Sequence, residues 1–474
     1  MTPARLALSR LAACLALCAA SLAHAQNCGS GGGATVCLGA TGTAGAVQLD
    51  WTVSGAVTGL QVYRDTDPDP NGRSRLALLG RTATGFTDTS ATPGTAYWYW
   101  IKFTTSTGSF NTGAAMGVRV GVMRDMTSLQ LAGQMGPGWN LGNTLEALGG
   151  NRYVWGSTNF AETAWGNPKA NQALFDAVKA AGFRSVRIPV AWSEYADADN
   201  NISPQWMARV SEVVNYAHHA GLYAIINIHW DGGWMQPTYA RQDAVNARLT
   251  RFWTQIATNF RNFDDSLLFA GTNEVMVEGN YNPPTAEYCA VQNSFNQTFV
   301  NAVRATGGNN ARRHLVVQAF NTNIDNAVNC NATLPSDPAA SRLMMEVHYY
   351  DPFDFSQDAN SGVWTWGGAA NPSGWANEPY VEAQFQKMRS AFIDRGVPVI
   401  LGEYAAIART EFDPTGANRS HWDQYITHAA LSDGLVPMYW DNGYAANHQS
   451  GLFDRATGAQ AYPDLVSAIV NAGQ

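Results

Sequence analysis

The stretch Leu267–Val275, Leu-Leu-Phe-Ala-Gly-Thr-Asn-Glu-Val, decides the fold. Its apolar half has the length and composition of a strand buried on both faces, as in a parallel sheet, and it stops abruptly at Asn273-Glu274. An unpaired carboxylate inside a sheet costs several kcal/mol, so Glu274 is expected at a strand tip that opens into a cleft. Residues 397–404, Val-Pro-Val-Ile-Leu-Gly-Glu-Tyr, repeat the pattern and carry Glu403 at the same end.

Outward from these two, apolar strand-like runs recur at 138–141, 185–188, 223–228, 314–318, 343–347 and 436–440, making eight in all. Helix-compatible segments separate most of them, for example 171–181, 204–220 and 380–395. Eight such units over residues 123–474 specify an α/β fold, a (β/α)8 TIM barrel with enlarged loops. In that architecture the working residues sit at the C-terminal ends of the strands. The polar residues cluster there: Asn143 after the first strand, Arg187 in the second and His229-Trp230 after the third. Asn273-Glu274 follow the fourth, His348-Tyr349-Tyr350 the sixth, Glu403 the seventh and Trp440-Asp441-Asn442 the eighth.

Residues 27–122 have a different character, rich in Thr, Gly and Ser. Alternating runs at 47–51, 60–64 and 97–101, separated by turns such as Asp67-Pro68-Asp69-Pro70-Asn71-Gly72, indicate a small all-β, immunoglobulin-like sandwich. The stretch 86–89 followed by Pro93-Gly94-Thr95-Ala96-Tyr97 resembles a fibronectin type III domain, with Tyr97 as its corner tyrosine. A spacer or packing module is the plain reading. Trp98 and Trp100, two apart on one strand face, either stack on sugar or pack inward.

Residues 1–25 read as an export signal: Arg5 and Arg10 form the basic region, Leu11–Leu22 the apolar one, and Ala23-His24-Ala25 the cleavage site. The mature chain is therefore expected to be secreted. Four cysteines remain after cleavage, Cys28, Cys37, Cys289 and Cys330, and an even number in an exported chain suggests disulfides. Cys28–Cys37 would close a short Gly-rich loop and Cys289–Cys330 would pin two loops of the barrel, with the other two connectivities left open. No Cys-x-x-Cys and no close Cys/His grouping is present, so no zinc site is expected. The formal net charge of −8, without a Lys/Arg-rich run, argues against nucleic acid or anionic membrane as partner. No later apolar run reaches the roughly 18 residues of a membrane span.

The strand-end residues make a sugar site. Retaining glycoside hydrolysis needs one carboxyl group protonated and another ionised, roughly 5–5.5 Å apart. Their surroundings must hold the two pKa values apart. Arg187 is expected to keep the nucleophile ionised, while desolvation and neighbouring negative charge keep the acid protonated. Asn273 can donate to a sugar hydroxyl, Tyr350 can orient the nucleophile and Trp440 can floor a pyranose ring. With 16 Trp and 18 Tyr the chain has more aromatics than a core demands. Trp230, Trp234, Trp364, Trp366 and Trp375 fall in loops, where they either stack on sugar or pack locally. Structural roles are assigned to Glu346 and Asp351.

The catalytic region resembles glycoside hydrolase family 5, of the larger clan of eight-stranded barrels. The matching stretches are Gly138–Thr144, Trp165–Pro168, Val186–Pro189, Ile226–His229, Thr272–Glu274, Val347–Pro352, Leu401–Tyr404 and Trp440–Gly443. The resemblance implies Glu274 as acid/base and Glu403 as nucleophile, supported by Arg187, His229, Asn273, His348 and Tyr350. Trp440, Asn143 and Trp230 would meet substrate. It implies no cofactor and no metal, and a β-linked polysaccharide as partner. The sequence departs from the family's usual Glu-Gly-x-Asn-Glu-Pro in reading Ala270-Gly271-Thr272-Asn273-Glu274-Val275, and has Trp230 where cellulases of the family often have a second His.

The expectation is a secreted, monomeric, retaining endo-β-1,4-glucanase. The rival within the class is a hemicellulase acting on mannan, xyloglucan or xylan. The rivals outside it are a non-catalytic polysaccharide-binding protein, which has no need of both glutamates, and a metallohydrolase, which lacks a closed ligand set.

Overall fold

Period-two alternation in the first hundred residues becomes a pair of antiparallel sheets in the computed structural model, which describes residues 27–149, 153–368 and 372–473. The export segment 1–25 lies outside the described residues. The N-terminal strands are β1 (Asn27–Gly31), β2 (Ala34–Gly42), β3 (Val47–Ser54), β4 (Gly59–Asp65), β5 (Ser74–Leu79), β6 (Gly85–Asp88), β7 (Ala96–Thr104), β8 (Ser109–Asn111) and β9 (Ala115–Val118). One sheet runs β1-β2-β3-β6 and the other β5-β4-β7-β8, with β9 on the second edge of β7. Leu38, Leu49, Trp51, Val62, Tyr99 and Ile101 fill the space between them.

The eight strands expected of the second region close into a parallel barrel: β10 (Gly138–Leu141), β11 (Ser185–Ile188), β12 (Tyr223–Asn227), β13 (Leu267–Ala270), β14 (Leu315–Gln318), β15 (Leu343–His348), β16 (Val399–Tyr404) and β17 (Val436–Asp441). The helices are α1 (Ser128–Ala132), α2 (Gln172–Ala181), α3 (Pro204–His219), α4 (Tyr239–Asn259), α5 (Ala286–Ala305), α6 (Ile324–Asn329), α7 (Phe353–Ser356), α8 (Glu378–Ala391), α9 (Ala417–Ser432) and α10 (Pro463–Val470). Two of the strands extend further than their apolar runs suggest. β15 continues through His348 and β16 through Tyr404, so His348 and Glu403 lie within the sheet and face each other in register.

Side chains of alternate residues fill the barrel in layers. The lower layer is apolar and includes Ile225, Leu268, Val316, Met344, Ile400 and Met438. Two residues further along the same inward phase come Asn140, Arg187, Asn227, Gln318 and Glu346, all fully buried. Gly402 occupies the corresponding position in β16, where an added Cβ would stand 2.4 Å from Glu346 Oε1. Its missing side chain makes room for that carboxylate in the upper layer.

The sandwich is docked on the barrel through β7. Trp98 and Trp100 are buried in the barrel's own core cluster, so they pack inward and do not form a sugar platform. Asn215 of α3 accepts from the Ala96 N–H at 3.0 Å and donates to the Ala96 carbonyl at 2.8 Å and the Thr66 carbonyl at 3.3 Å. Burying those backbone groups without a partner would be unfavourable, and Asn215 supplies it. The disulfides pair Cys28 with Cys37 across β1 and β2, and Cys289 of α5 with Cys330 at the end of α6.

Candidate active site

At the C-terminal rim of the barrel a buried guanidinium organises the carboxylates. Arg187 Nη1 donates to Glu403 Oε1 at 2.9 Å and to Asn140 Oδ1 at 3.1 Å. Its Nη2 lies 2.9 Å from Glu346 Oε1 and also donates to Asn273 Oδ1. The other oxygen of Glu403 accepts from Tyr350 Oη at 3.0 Å. His348 bridges the carboxylates, with Nδ1 2.7 Å from Glu274 Oε1, Nε2 3.2 Å from Glu346 Oε1, and Glu403 Oε2 3.6 Å from Nδ1. Glu346 is held in turn by Gln318 Nε2 at 2.9 Å.

Glu274 follows β13 in the left-handed region, with φ 45°, a conformation unfavourable for a non-glycine residue. The turn leaves its side chain 43% exposed while that of Glu403 is 7% exposed. Glu274, His348 and Glu403 nonetheless bring side-chain oxygen or nitrogen atoms within 4.8 Å of one another. That trio is a poor cation site. Arg187 and Tyr350 already occupy the Glu403 oxygens, and both His348 nitrogens face carboxylates.

Arg187 and a protonated His348 therefore face three carboxylates, and the charge count governs the titration. Burial disfavours the imidazolium, but Glu403, Glu274 and Glu346 prevail and push His348 up to about 9. Burial would raise Glu346, yet Arg187, His348 and Gln318 hold it below the usual carboxylate range. Glu274 is likewise drawn down against burial by the His348 hydrogen bond and charge. Glu403 moves the other way: burial and the neighbouring Glu274 raise it against His348 and Arg187. These directions differ from the expectation that Arg187 keeps Glu403 ionised and that Glu274 sits protonated. The group favoured to carry a proton beside Glu274 is His348, whose Nδ1 stands 2.7 Å from Glu274 Oε1 and whose charged form the surrounding carboxylates stabilise. The two glutamates titrate as one coupled system.

His229 stays neutral, held well below its ordinary pKa by burial and by the charges of Arg187 and His348. Asn227 Nδ2 donates to its Nδ1 at 3.2 Å, and its ring lies parallel to Trp440, with centroids 5.8 Å apart. Trp230 is 51% exposed at the cleft wall. Asn143 has φ 56°, its N–H donates to buried Glu146 and its carbonyl accepts from Asn167. Among the loop tryptophans, Trp234 donates to Asp231 and Trp366 to the Ala376 carbonyl, as packing residues. Trp364 and Trp375 remain partly exposed. Sequence reasoning passed over Asn140, Asn227, Gln318 and Gly402, and gave Glu346 only a structural role. The signal was available: each is the next inward residue, two along from an apolar one, on its own strand.

Several known proteins share this arrangement of chain. The family model described as Cellulase (glycosyl hydrolase family 5) matches residues 150–446. A xyloglucan-specific endo-beta-1,4-glucanase of Bacteroides ovatus is 44% identical over 363 residues, covering 73% of this chain and 70% of that protein. Endoglucanase A of Paenibacillus barcinonensis is 38% identical over 374 residues, covering 74% of this chain and 92% of that one. Among solved structures, the Bacteroides ovatus GH5 xyloglucanase in complex with a XXXG heptasaccharide superposes with TM-score 0.69 and 35% identity, covering 92% of this chain and 99% of that one. The GH5-4 broad specificity endoglucanase from Bacteroides salanitronis gives TM-score 0.67 and 39% identity, covering 74% of this chain and 96% of that one.

Proposed function

This chain belongs to glycosyl hydrolase family 5, and on that premise we propose that it is a secreted, retaining endo-β-1,4-glucanase acting as a monomer. The observation that carries the reading is the close approach of Glu274 and Glu403, whose side-chain oxygens come within 4.8 Å of each other beside Arg187. Retaining enzymes place the two carboxyls roughly 5–5.5 Å apart, and inverting ones leave room for a water at roughly 6.5–9.5 Å.

In the first step the proton held between His348 Nδ1 and Glu274 Oε1 passes to Glu274 and then to the glycosidic oxygen. Glu403 attacks the anomeric carbon, the bond to the leaving sugar breaks, and a glycosyl ester forms on Glu403. Arg187 and Tyr350 orient the attacking carboxylate. In the second step Glu274 takes a proton from water, the hydroxide adds to the anomeric carbon, and Glu403 is released. The buried Glu403 and its hydrogen-bonding set supply fixed dipoles where charge develops, the largest source of catalysis in such sites. Neutral His229, Asn273 and Trp440 would contact the sugar whose anomeric carbon is attacked, and its ring stays closed throughout.

We assign an export segment to residues 1–25, a fibronectin type III-like module to 27–122 and the catalytic barrel to 123–474. Support for the module comes from its strand order, from Tyr97 Oη bonding Thr92 Oγ1 at 3.2 Å, and from β9 closing the edge of β7. Its buried tryptophan face favours a packing role over sugar binding. Export is supported by the two disulfides.

The test is a substrate panel of barley β-glucan, carboxymethylcellulose, glucomannan and xyloglucan. An endo-glucanase lowers the viscosity of the β-1,4-glucans early, well before reducing ends accumulate. Negligible cleavage of every β-1,4-glucan backbone overturns the reading.

A further inference from the structure

Glu274 is fixed by the chain on both sides of it. Ahead of it, the Thr272 N–H and Oγ1 both donate to Gln318 Oε1, at 2.9 and 3.0 Å, and Asn273 Oδ1 accepts from Arg187. Behind it, the carbonyl of buried Val275 accepts from the Asn321 N–H at 3.0 Å. Between these two attachments Glu274 turns through φ 45°, and that turn sets where its carboxylate stands relative to His348 and Glu403. The rear attachment is only as firm as Asn321 itself.

Asn321 and Thr322 are both left-handed, with φ 51° and 44°, a conformation unfavourable outside glycine and most so for a β-branched residue. Such backbone persists where its surroundings over-determine it. Here the surroundings are side-chain amides gathered on Phe320, the residue before. Asn331 Oδ1 accepts the Phe320 N–H at 2.8 Å, and Asn326 Nδ2 donates to the Phe320 carbonyl at 3.2 Å. Asn331 is supported in turn: its Nδ2 donates to Asn293 Oδ1 at 2.9 Å, and Asn293 Nδ2 donates to the Cys330 carbonyl at 2.8 Å. Asn331 is 1% exposed, and its neighbour Cys330 is tied to Cys289 of α5 by the disulfide. A compact amide that accepts from one group and donates to another fits this place, whereas a carboxylate offers acceptors alone.

We propose that Asn331 is a positioning residue for the acid/base: through Phe320, Asn321 and the Val275 carbonyl it fixes the turn that aims Glu274 at the glycosidic oxygen. The proposal rests on the reading of Glu274 as acid/base. A misplacement of about 1 Å costs a reacting group up to roughly 10²-fold in rate, and proton transfer contributes roughly 10²–10⁴-fold. Loosening the relay should therefore slow the steps in which Glu274 moves a proton and spare those in which it does not. A residue that only stabilises the fold has no such selectivity.

The experiment compares wild type, Asn331→Ala and Glu274→Gln on two aryl β-cellotriosides that differ only in the leaving group. One leaves as a phenol, which needs a proton to depart, and the other as a dinitrophenol, which does not. Asn331→Ala is expected to lose roughly 10–100-fold in kcat/KM on the phenyl glycoside and less than about threefold on the dinitrophenyl one. On the dinitrophenyl glycoside its kcat should fall, because hydrolysis of the glycosyl ester needs Glu274 to take a proton from water. Azide attacks the anomeric carbon of that ester without giving up a proton, so adding it should restore kcat, forming the β-glycosyl azide and releasing Glu403. Asn331→Asp keeps an acceptor for the Phe320 N–H and should recover most of the phenyl-glycoside rate, even with a lower melting temperature. Thermal melts confirm folding. If Asn331→Ala does not fold, Asn293→Ala, which leaves the Phe320 bond in place but unsupported, is expected to show the same selectivity and azide response at smaller size. Equal losses on both glycosides, or a kcat that azide does not raise, would overturn the proposal where Glu274→Gln still discriminates between the leaving groups. Equal losses in Glu274→Gln itself would refute the acid/base assignment instead.

Discussion

Glu346→Gln should move the alkaline limb of the pH–rate profile without touching either carboxylate of the reacting pair. Glu346 is fully buried, 2.9 Å from Arg187 Nη2 and 3.2 Å from His348 Nε2. The His348 imidazolium is stabilised from an ordinary 6.5 to about 9 by Glu403, Glu274 and Glu346 together. That net rise corresponds to roughly 3 kcal/mol in favour of the protonated ring, and because it is reached against burial the three carboxylates supply more than about 1 kcal/mol each. Glutamine keeps the volume and removes the charge. In the wild type kcat/KM is expected to fall as pH rises through about 9, where the site loses the proton that Glu274 delivers. In Glu346→Gln the same limb should move down by at least about one pH unit. Because one partner of a buried ion pair is removed, stability should also fall by about 3 kcal/mol. The assay is initial rate on an aryl cellotrioside from pH 4 to 10, with a melt at each pH to confirm folding. A variant that loses stability but keeps the wild-type limb would refute the role of Glu346 in holding the proton. A limb displaced upward would refute the charge count.

The same linkage predicts a stability profile. The folded pKa of His348 lies above its unfolded value, so its contribution is complete below pH 6.5 and disappears as pH rises through about 9. Calorimetric melts across that window should show the decline in wild type and a shallower one in Glu346→Gln. Glu274→Gln should lower kcat on polymer by roughly 10²–10⁴-fold, and by much less on an activated aryl glycoside that needs no proton. Glu403→Gln should abolish turnover of both, measured as reducing ends and released phenol. Tyr350→Phe removes one donor from a charged acceptor worth about 1.5–3 kcal/mol, so kcat/KM should drop roughly 10–100-fold with little change in melting temperature. Asn215→Ala leaves the Ala96 N–H and carbonyl unpaired between sandwich and barrel. It should destabilise by about 1–3 kcal/mol in denaturant titration and leave kcat unchanged.

The barrel was legible because each of its strands is a short apolar run with a polar end, a pattern that period and length suffice to read. Glu274 and Glu403 were legible for the same reason: a carboxylate at the tip of a buried strand stands out. Glu346 did not, since it sits inside the run Leu343-Met344-Met345-Glu346-Val347, where a lone acid suggests an internal pair and no more. Its importance depends on register. Only the pairing of β15 with β16 places it beside Gly402, and only barrel closure brings Arg187 across to it. The direction of the glutamate titrations was illegible on the same grounds, because it follows from how many buried charges meet. Trp98 and Trp100 lie on β7, which docks on the barrel where Ala96 meets Asn215 of α3, more than a hundred residues away in the chain. Neither propensity nor alternation carries that information. The left-handed backbone at Asn321 and Thr322, with φ 51° and 44°, has no sequence signature either, as an asparagine in a loop is ordinary.

The central claim is that two carboxyl groups, close enough to share a proton network, act as nucleophile and acid on the same anomeric carbon. Proton NMR of the first product formed from a β-linked cello-oligosaccharide tests it most directly. The β-anomer should appear first and convert to the equilibrium mixture by mutarotation. Initial appearance of the α-anomer would mean single displacement by water and would contradict the account.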